Sequence, residues 1–152
     1  MSAEQVNPSL RDPFVGTWKL ITFAFHRSDG TAANVLGSEA SGLLIYDAQG
    51  HMAGQLMRAD RPLFAVNDQQ KGTDAEVHAA LEGYIAYFGD YVIDEAEKTV
   101  IHRTKGAMFP NLVGQDQKRF YEFAGNRLTL TTPPVTVGGI TVTGVLVWEK
   151  YP

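Results

Sequence analysis

Runs of β-branched, aromatic and other apolar residues recur along this chain, each about six to ten residues long and each closed by a turn. The first, Phe14 to Phe25, ends at Ser28-Asp29-Gly30. Gly42 to Tyr46 and His51 to Met57 flank Asp47-Ala48-Gln49-Gly50, which is a hairpin signal. Tyr84 to Asp94 pairs with Lys98 to Ala107 across Glu95-Ala96-Glu97, and Gln117 to Ala124 pairs with Arg127 to Thr132 across Gly125-Asn126. A last strand runs from Ile140 to Tyr151, after the breaks at Pro133-Pro134 and Gly138-Gly139. One segment departs from this rhythm. Thr73-Asp74-Ala75-Glu76 has the form of a capping box, good helix formers follow, and Gly83 suits a C-terminal stop, so a short helix is predicted from Asp74 to Glu82.

Strands joined as successive neighbours leave two exposed sheet edges unless the sheet closes on itself. The prediction is therefore an all-β fold, a closed up-and-down antiparallel β-barrel of 8–10 strands with one short helix. About eight strands is also the size at which a barrel can hold one small ligand. The domain reading is a mobile N-terminal leader over residues 1–12 and a single barrel domain over 13–152.

Alternation along each strand, anchored on residues that belong in water, sorts the wall into two faces. Lys118 and Glu122 outside turn Arg119, Tyr121 and Phe123 inside. Arg103 and Lys105 outside turn Val100, His102 and Thr104 inside. Asp90 places Tyr87, Gly89, Tyr91 and Ile93 within, and Gln55 does the same for Met52, Gly54 and Leu56. Glu149 turns in Leu146, Trp148 and Lys150, while Lys19 turns in Trp18 and Leu20. The interior so derived is apolar and aromatic with a few polar insertions, as a small-molecule site requires.

The 152 residues carry a formal charge of −4, so no basic surface points to nucleic acid or anionic membrane. The chain has no cysteine, which excludes disulfides, thiolate catalysis and Cys-based metal sites. Neither a signal-peptide block nor a membrane-length apolar run is present. The expectation is a soluble, cytoplasmic protein. His26, His51 and His78 sit near a strand end, a turn and the helix without a recognisable metal-ligand spacing. No metal and no cofactor is expected.

Gly16-Thr17-Trp18-Lys19-Leu20 resembles the Gly-x-Trp opening of the lipocalin superfamily. Gly42-Leu43-Leu44-Ile45-Tyr46, Gly50-His51-Met52, Tyr84-Ile85-Ala86-Tyr87-Phe88-Gly89 and Val100-Ile101-His102 resemble one branch, the bacterial and fungal lipocalin-like domain family. Pro110-Asn111, Gln117-Lys118-Arg119, Leu128-Thr129-Leu130 and Val147-Trp148-Glu149 continue the likeness, which spans about Phe14 to Lys150. Two positions depart from it: Leu112 stands where Trp often follows Pro-Asn, and Lys150 where Arg is expected. The resemblance implies a lipocalin-type barrel. Some such proteins carry apolar ligands, and some in natural-product pathways act as cyclases or isomerases; a barrel alone does not choose between them. It also implies a cation over Trp18, a role open to Arg119 or Lys150.

Two candidate catalytic residues follow. His102 on the inner wall can serve as acid or base, or be a core histidine held by tyrosine or threonine hydroxyls. Arg119 can steady an anionic ligand oxygen. Met52, Leu56, Tyr87, Tyr91, Thr104, Tyr121 and Trp148 are the expected ligand-binding residues. The functions in contention are binding of a hydrophobic small molecule, a cofactor-independent cyclase or isomerase acting on a polyketide- or terpenoid-like substrate, and a filled barrel acting through its surface. The loop from Arg58 to Lys71 and the helix are expected over one end as lid or plug, with Arg61-Pro62-Leu63-Phe64 across the mouth. The Phe23 and Phe25 face is offered for a homodimer.

Overall fold

A computed structural model describes residues 8–137 and 139–152. In chain order the elements are α1 (Pro8–Arg11), β1 (Gly16–Arg27), β2 (Ala32–Asn34), β3 (Ser41–Tyr46), β4 (His51–Met57), α2 (Asp74–Glu82), β5 (Tyr84–Asp94) and β6 (Thr99–Ala107). They continue with β7 (Asp116–Ala124), β8 (Arg127–Thr131), β9 (Val135–Val137) and β10 (Ile140–Lys150). Two single 3₁₀ turns, Gln69–Lys71 and Pro110–Leu112, complete the set.

All pairings are antiparallel between successive long strands, and β1 closes the sheet by pairing with β10 from Trp18↔Lys150 to Arg27↔Val142. Eight long strands make the closed barrel. The short β2 and β9 extend the outer halves of β1 and β10. Gly138, half of the expected Gly-Gly break, lies outside the described residues.

α2 forms where its caps predict. The Thr73 hydroxyl accepts from Glu76 N at 3.2 Å, and the Glu76 carboxylate accepts from Thr73 N at 2.8 Å. The other Glu76 oxygen accepts from Ala65 N at 2.8 Å, tying the 58–71 loop to the helix. No residue of α2 is buried, and Leu63 is 92% exposed. The expected packing of Leu63 across a mouth is therefore absent; Phe64 lies instead against Gly72, and Arg61 lies over the Tyr84 ring at 4.9 Å.

Alternation holds for Trp18 and Leu20 and then breaks. Leu20 pairs with Trp148 and Thr22 with Val147, so Ile21 is an extra residue in β1. That bulge turns Thr22 outward and Phe23 inward onto the core, with the Phe25 ring against Phe23 at 5.8 Å. Phe23 is thus not part of an outer face available for a dimer. A second bulge falls in β6: Gly89 pairs with Thr104 and Phe88 with Gly106, which leaves Lys105 over. Because it comes after His102 and Thr104, their inward orientation is unaffected. Gly89 is required there, since a Cβ on it would stand 1.8 Å from the Arg103 carbonyl oxygen.

One end of the barrel is filled by Phe14. Its ring meets Tyr46 at 5.4 Å, Tyr121 at 4.9 Å and Phe123 at 4.9 Å, all near edge-to-face. Beside it the Trp18 indole N–H donates to the Phe14 carbonyl at 2.8 Å, and Lys150 Nζ stands 5.3 Å from the Trp18 ring centre. Lys150, not Arg119, is the cation over Trp18. The chain is docked earlier than the expected leader boundary at Asp12. Leu10 packs on the core, and Arg11 donates to the Ala48 carbonyl at 3.1 Å while covering the Tyr91 ring. Residues 1–7 of that expected leader lie outside the described residues.

Candidate functional site

A cavity with a free volume of about 80 Å³ lies inside the barrel next to the aromatic cluster. Its apolar wall is Phe23, Leu44, Leu56, Ile85, Leu130 and Leu146, with Gly54 opening space between them. Tyr87, His102, Arg119, Thr132 and Trp148 supply its polar atoms. Among the described residues, no carboxylate lines it.

His102 comes from β6, Tyr46 from β3 and Tyr87 from β5, three strands whose inward faces meet at this depth. The Tyr46 hydroxyl lies 2.6 Å from His102 Nε2, and the Tyr87 hydroxyl lies 2.7 Å from Nδ1. Both ring nitrogens are therefore engaged by the wall. His102 is 2% exposed, and burial, reinforced by the Arg119 cation, pulls its pKa from 6.5 down to about 3. Burial pushes the Tyr46 hydroxyl well above its ordinary range and raises Tyr87. At neutral pH the trio is uncharged. A ligand proton reaching His102 would first have to displace a tyrosine.

Arg119 sits across from Val100 on β7. Nη1 donates to the Lys118 carbonyl at 2.9 Å, and Nη2 reaches Gln117 Oε1 at 3.5 Å. Both partners are neutral and on its own strand, which leaves three of its five N–H groups without a protein partner.

The structure thus brings His102, Arg119, Leu56, Tyr87 and Trp148 to one space. The other expected ligand contacts, Met52, Tyr91, Thr104 and Tyr121, are not among its lining residues. Tyr91 and Tyr121 belong to the aromatic end around Phe14, where Tyr91 donates to the Asp47 carbonyl at 2.6 Å. Met52 and Thr104 are buried in the wall. No residue of the 58–71 loop or of α2 lines the cavity.

Sequence reasoning missed Tyr46, Leu44, Phe23, Ile85, Leu130 and Thr132. β3 reads Ser-Gly-Leu-Leu-Ile-Tyr, with no charged residue to say which face is wet. Phe23 was hidden by the Ile21 bulge. Leu130 was legible, because Arg127 outside turns Leu128 and Leu130 inside.

The remaining histidines lie outside. His51 meets Asp90 at 2.9 Å, and His78 pairs with Glu82 one helical turn on at 2.9 Å, an i, i+4 pair that the metal-spacing reading overlooked. Among the described residues, no group of three or more His, Asp or Glu is placed to hold a metal ion. No helix among them is long and apolar enough to cross a membrane.

The profile of the lipocalin-like domain matches residues 15–151, nearly the whole barrel. The chain belongs to the lipocalin-like domain family. It is also similar to the 4'-hydroxy-3'-methoxypropiophenone carrier protein ppsC of Aspergillus oryzae, with 32% identity over 108 residues. That match covers 66% of this chain and 97% of the relative. No solved structure gives a significant match. The closed eight-stranded barrel is what membership in a lipocalin-like family entails, and a carrier among its relatives supports small-molecule binding inside it.

Proposed function

We propose that this protein binds a hydrophobic small molecule non-covalently in its barrel and releases it unchanged. The observation that carries the reading is the engagement of both His102 nitrogens by Tyr46 and Tyr87 on the wall of a mostly apolar cavity. A catalytic base needs a free nitrogen aimed at the substrate and a pKa near working pH. His102 has neither. The cyclase or isomerase reading is disfavoured on the same ground, and the carrier relative points the same way.

The free volume of about 80 Å³ far exceeds that of one water, for which roughly 10–15 Å³ suffices. It is smaller than the roughly 150 Å³ that holds a benzene ring in a preformed apolar cavity. A ligand with a single ring therefore enters with movement of the wall, and the half-buried Phe23 and Ile85 are the side chains placed to give way. The molecule in the relative's name, an aryl ketone, has a single ring. We assign contacts to Leu56, Tyr87, Arg119 and Trp148, with Leu44, Leu130 and Leu146 shaping the apolar part.

The test is calorimetric titration with acetophenone of the wild type and of Gly54→Val. A Cβ at Gly54 meets Leu44 Cδ1 at an ordinary 3.4 Å, so the added branches fill the cavity without displacing backbone. One-to-one binding that Gly54→Val abolishes supports the reading. Equal binding by both chains places the site elsewhere and overturns it.

A further inference from the structure

We infer that the cavity selects a ligand whose polar end is an oxygen that only accepts hydrogen bonds, a neutral carbonyl, held by a pole of donors from Tyr87, Arg119 and Trp148. This deepens the binding function proposed above and depends on it.

The argument is an accounting of protons. Neutral His102 carries one N–H and one lone pair, so one tyrosine donates to it and the other accepts from it. Tyr46 is 1% exposed, and His102 Nε2 is its hydroxyl's partner. If Tyr46 accepted from Nε2–H, its own proton would be left buried and unmatched. Tyr46 therefore donates to Nε2, and the imidazole proton sits on Nδ1 and is donated to the Tyr87 oxygen. The Tyr87 proton is then free, and Tyr87 lines the cavity. Its raised pKa keeps that hydroxyl protonated. The geometry of three strands thus converts a histidine into a device that orients a tyrosine O–H.

Two further donors share the wall. The Trp148 side chain is 2% exposed and lines the cavity, and its indole N–H has no partner; that N–H has almost no accessible surface of its own, so a guest reaches it as the wall moves. Indole donates and cannot accept. Arg119 contributes its remaining guanidinium hydrogens, and guanidinium likewise has no acceptor. The Thr132 hydroxyl oxygen already accepts from Gly144 N at 2.8 Å. The cavity offers donors, then, to a ligand that must answer with lone pairs. Buried donors left unmatched are rare and unfavourable, which is why the empty arrangement favours an acceptor guest. The guest is neutral rather than anionic because the wall is mostly apolar and Arg119 is only half-buried, so water already solvates its charge and a carboxylate gains little from it in return for its lost hydration.

Four ligands of one shape separate these possibilities: acetophenone, 1-phenylethanol, ethylbenzene and benzoate. They are titrated into protein labelled with ¹⁵N at the tryptophan indoles. The chain has two tryptophans, and Trp18, whose N–H is held by the Phe14 carbonyl, serves as the internal reference. Acetophenone is expected to bind about tenfold or more tightly than ethylbenzene, as a hydrogen bond to buried donors allows. It should shift the Trp148 indole resonance and leave Trp18 nearly still. Trp148→Phe and Tyr87→Phe should each narrow the gap between ketone and hydrocarbon. Should either variant fail to fold, the wild-type series decides alone. Equal affinities for ketone and hydrocarbon, a static Trp148 resonance, or tighter binding of the alcohol or of benzoate would overturn the donor pole while leaving the binding function intact. Failure of all four to bind would overturn both.

Discussion

The Tyr46 hydroxyl stands 2.6 Å from Nε2 of His102, a buried contact across the barrel interior from β3 to β6. With Tyr87 on the other nitrogen, this contact leaves the sequence's most reactive-looking side chain with neither ring nitrogen free. It also makes the fold's stability depend on keeping that imidazole neutral.

The dependence has a definite sign. In the fold the His102 pKa lies at about 3, and in the unfolded chain it takes the ordinary value of 6.5. Above pH 6.5 both states are neutral and the stabilisation is complete. Below it the unfolded chain takes up a proton that the folded chain refuses, so stability falls steadily toward pH 3. Between pH 6.5 and about 4.5 the loss should approach roughly 2–3 kcal/mol, at about 1.4 kcal/mol per pH unit. Urea unfolding across this range should show that slope in the wild type and a flatter curve in His102→Gln.

Tyr46→Phe removes the donor to Nε2 and leaves a buried lone pair unmatched. Unfolding free energy should drop by about 1–3 kcal/mol. Acetophenone affinity should change less than in Tyr87→Phe, because Tyr46 does not line the cavity. A larger affinity loss in Tyr46→Phe would contradict the proton assignment.

Gly89→Ala brings a Cβ to 1.8 Å from the Arg103 carbonyl, which only a backbone shift at the β6 bulge can relieve. Destabilisation of about 3 kcal/mol or more is expected, within the range of severe steric substitutions. Circular dichroism melts would reveal it as a large fall in midpoint or as failure to fold.

Lys150→Met keeps most of the side chain's length while deleting its charge over Trp18. The loss should be about 0.5–2 kcal/mol from the cation–π contact, with ligand affinity unchanged. Chemical denaturation of the variant checks the first, and the acetophenone titration checks the second.

Much of the fold was legible because its signals are local. Turns at Asp47 to Gly50 and Gly125-Asn126, the Thr73–Glu76 box and charged outer residues such as Lys118, Glu122 and Arg103 fix strands, helix and parity. What failed to be legible is non-local. The Ile21 bulge has no composition of its own, so alternation carried past Leu20 turns Phe23 outward, whereas the structure turns it inward. Tyr46 lies in a strand with no charge to orient it, so the partner that binds His102 Nε2 went unseen. Alternation tells which residues face inward but not at what depth. For that reason Tyr91 and Tyr121 were grouped with Tyr87, although they pack around Phe14 at the filled end.

The central claim is that the barrel holds an apolar guest and does no chemistry on it. Native mass spectrometry of the protein with acetophenone, followed by denaturation and chromatography of the released molecule, tests both halves. The expected result is a one-to-one complex that yields back acetophenone in full and unaltered. A protein mass without added ligand, or a released molecule that has changed, would contradict the claim.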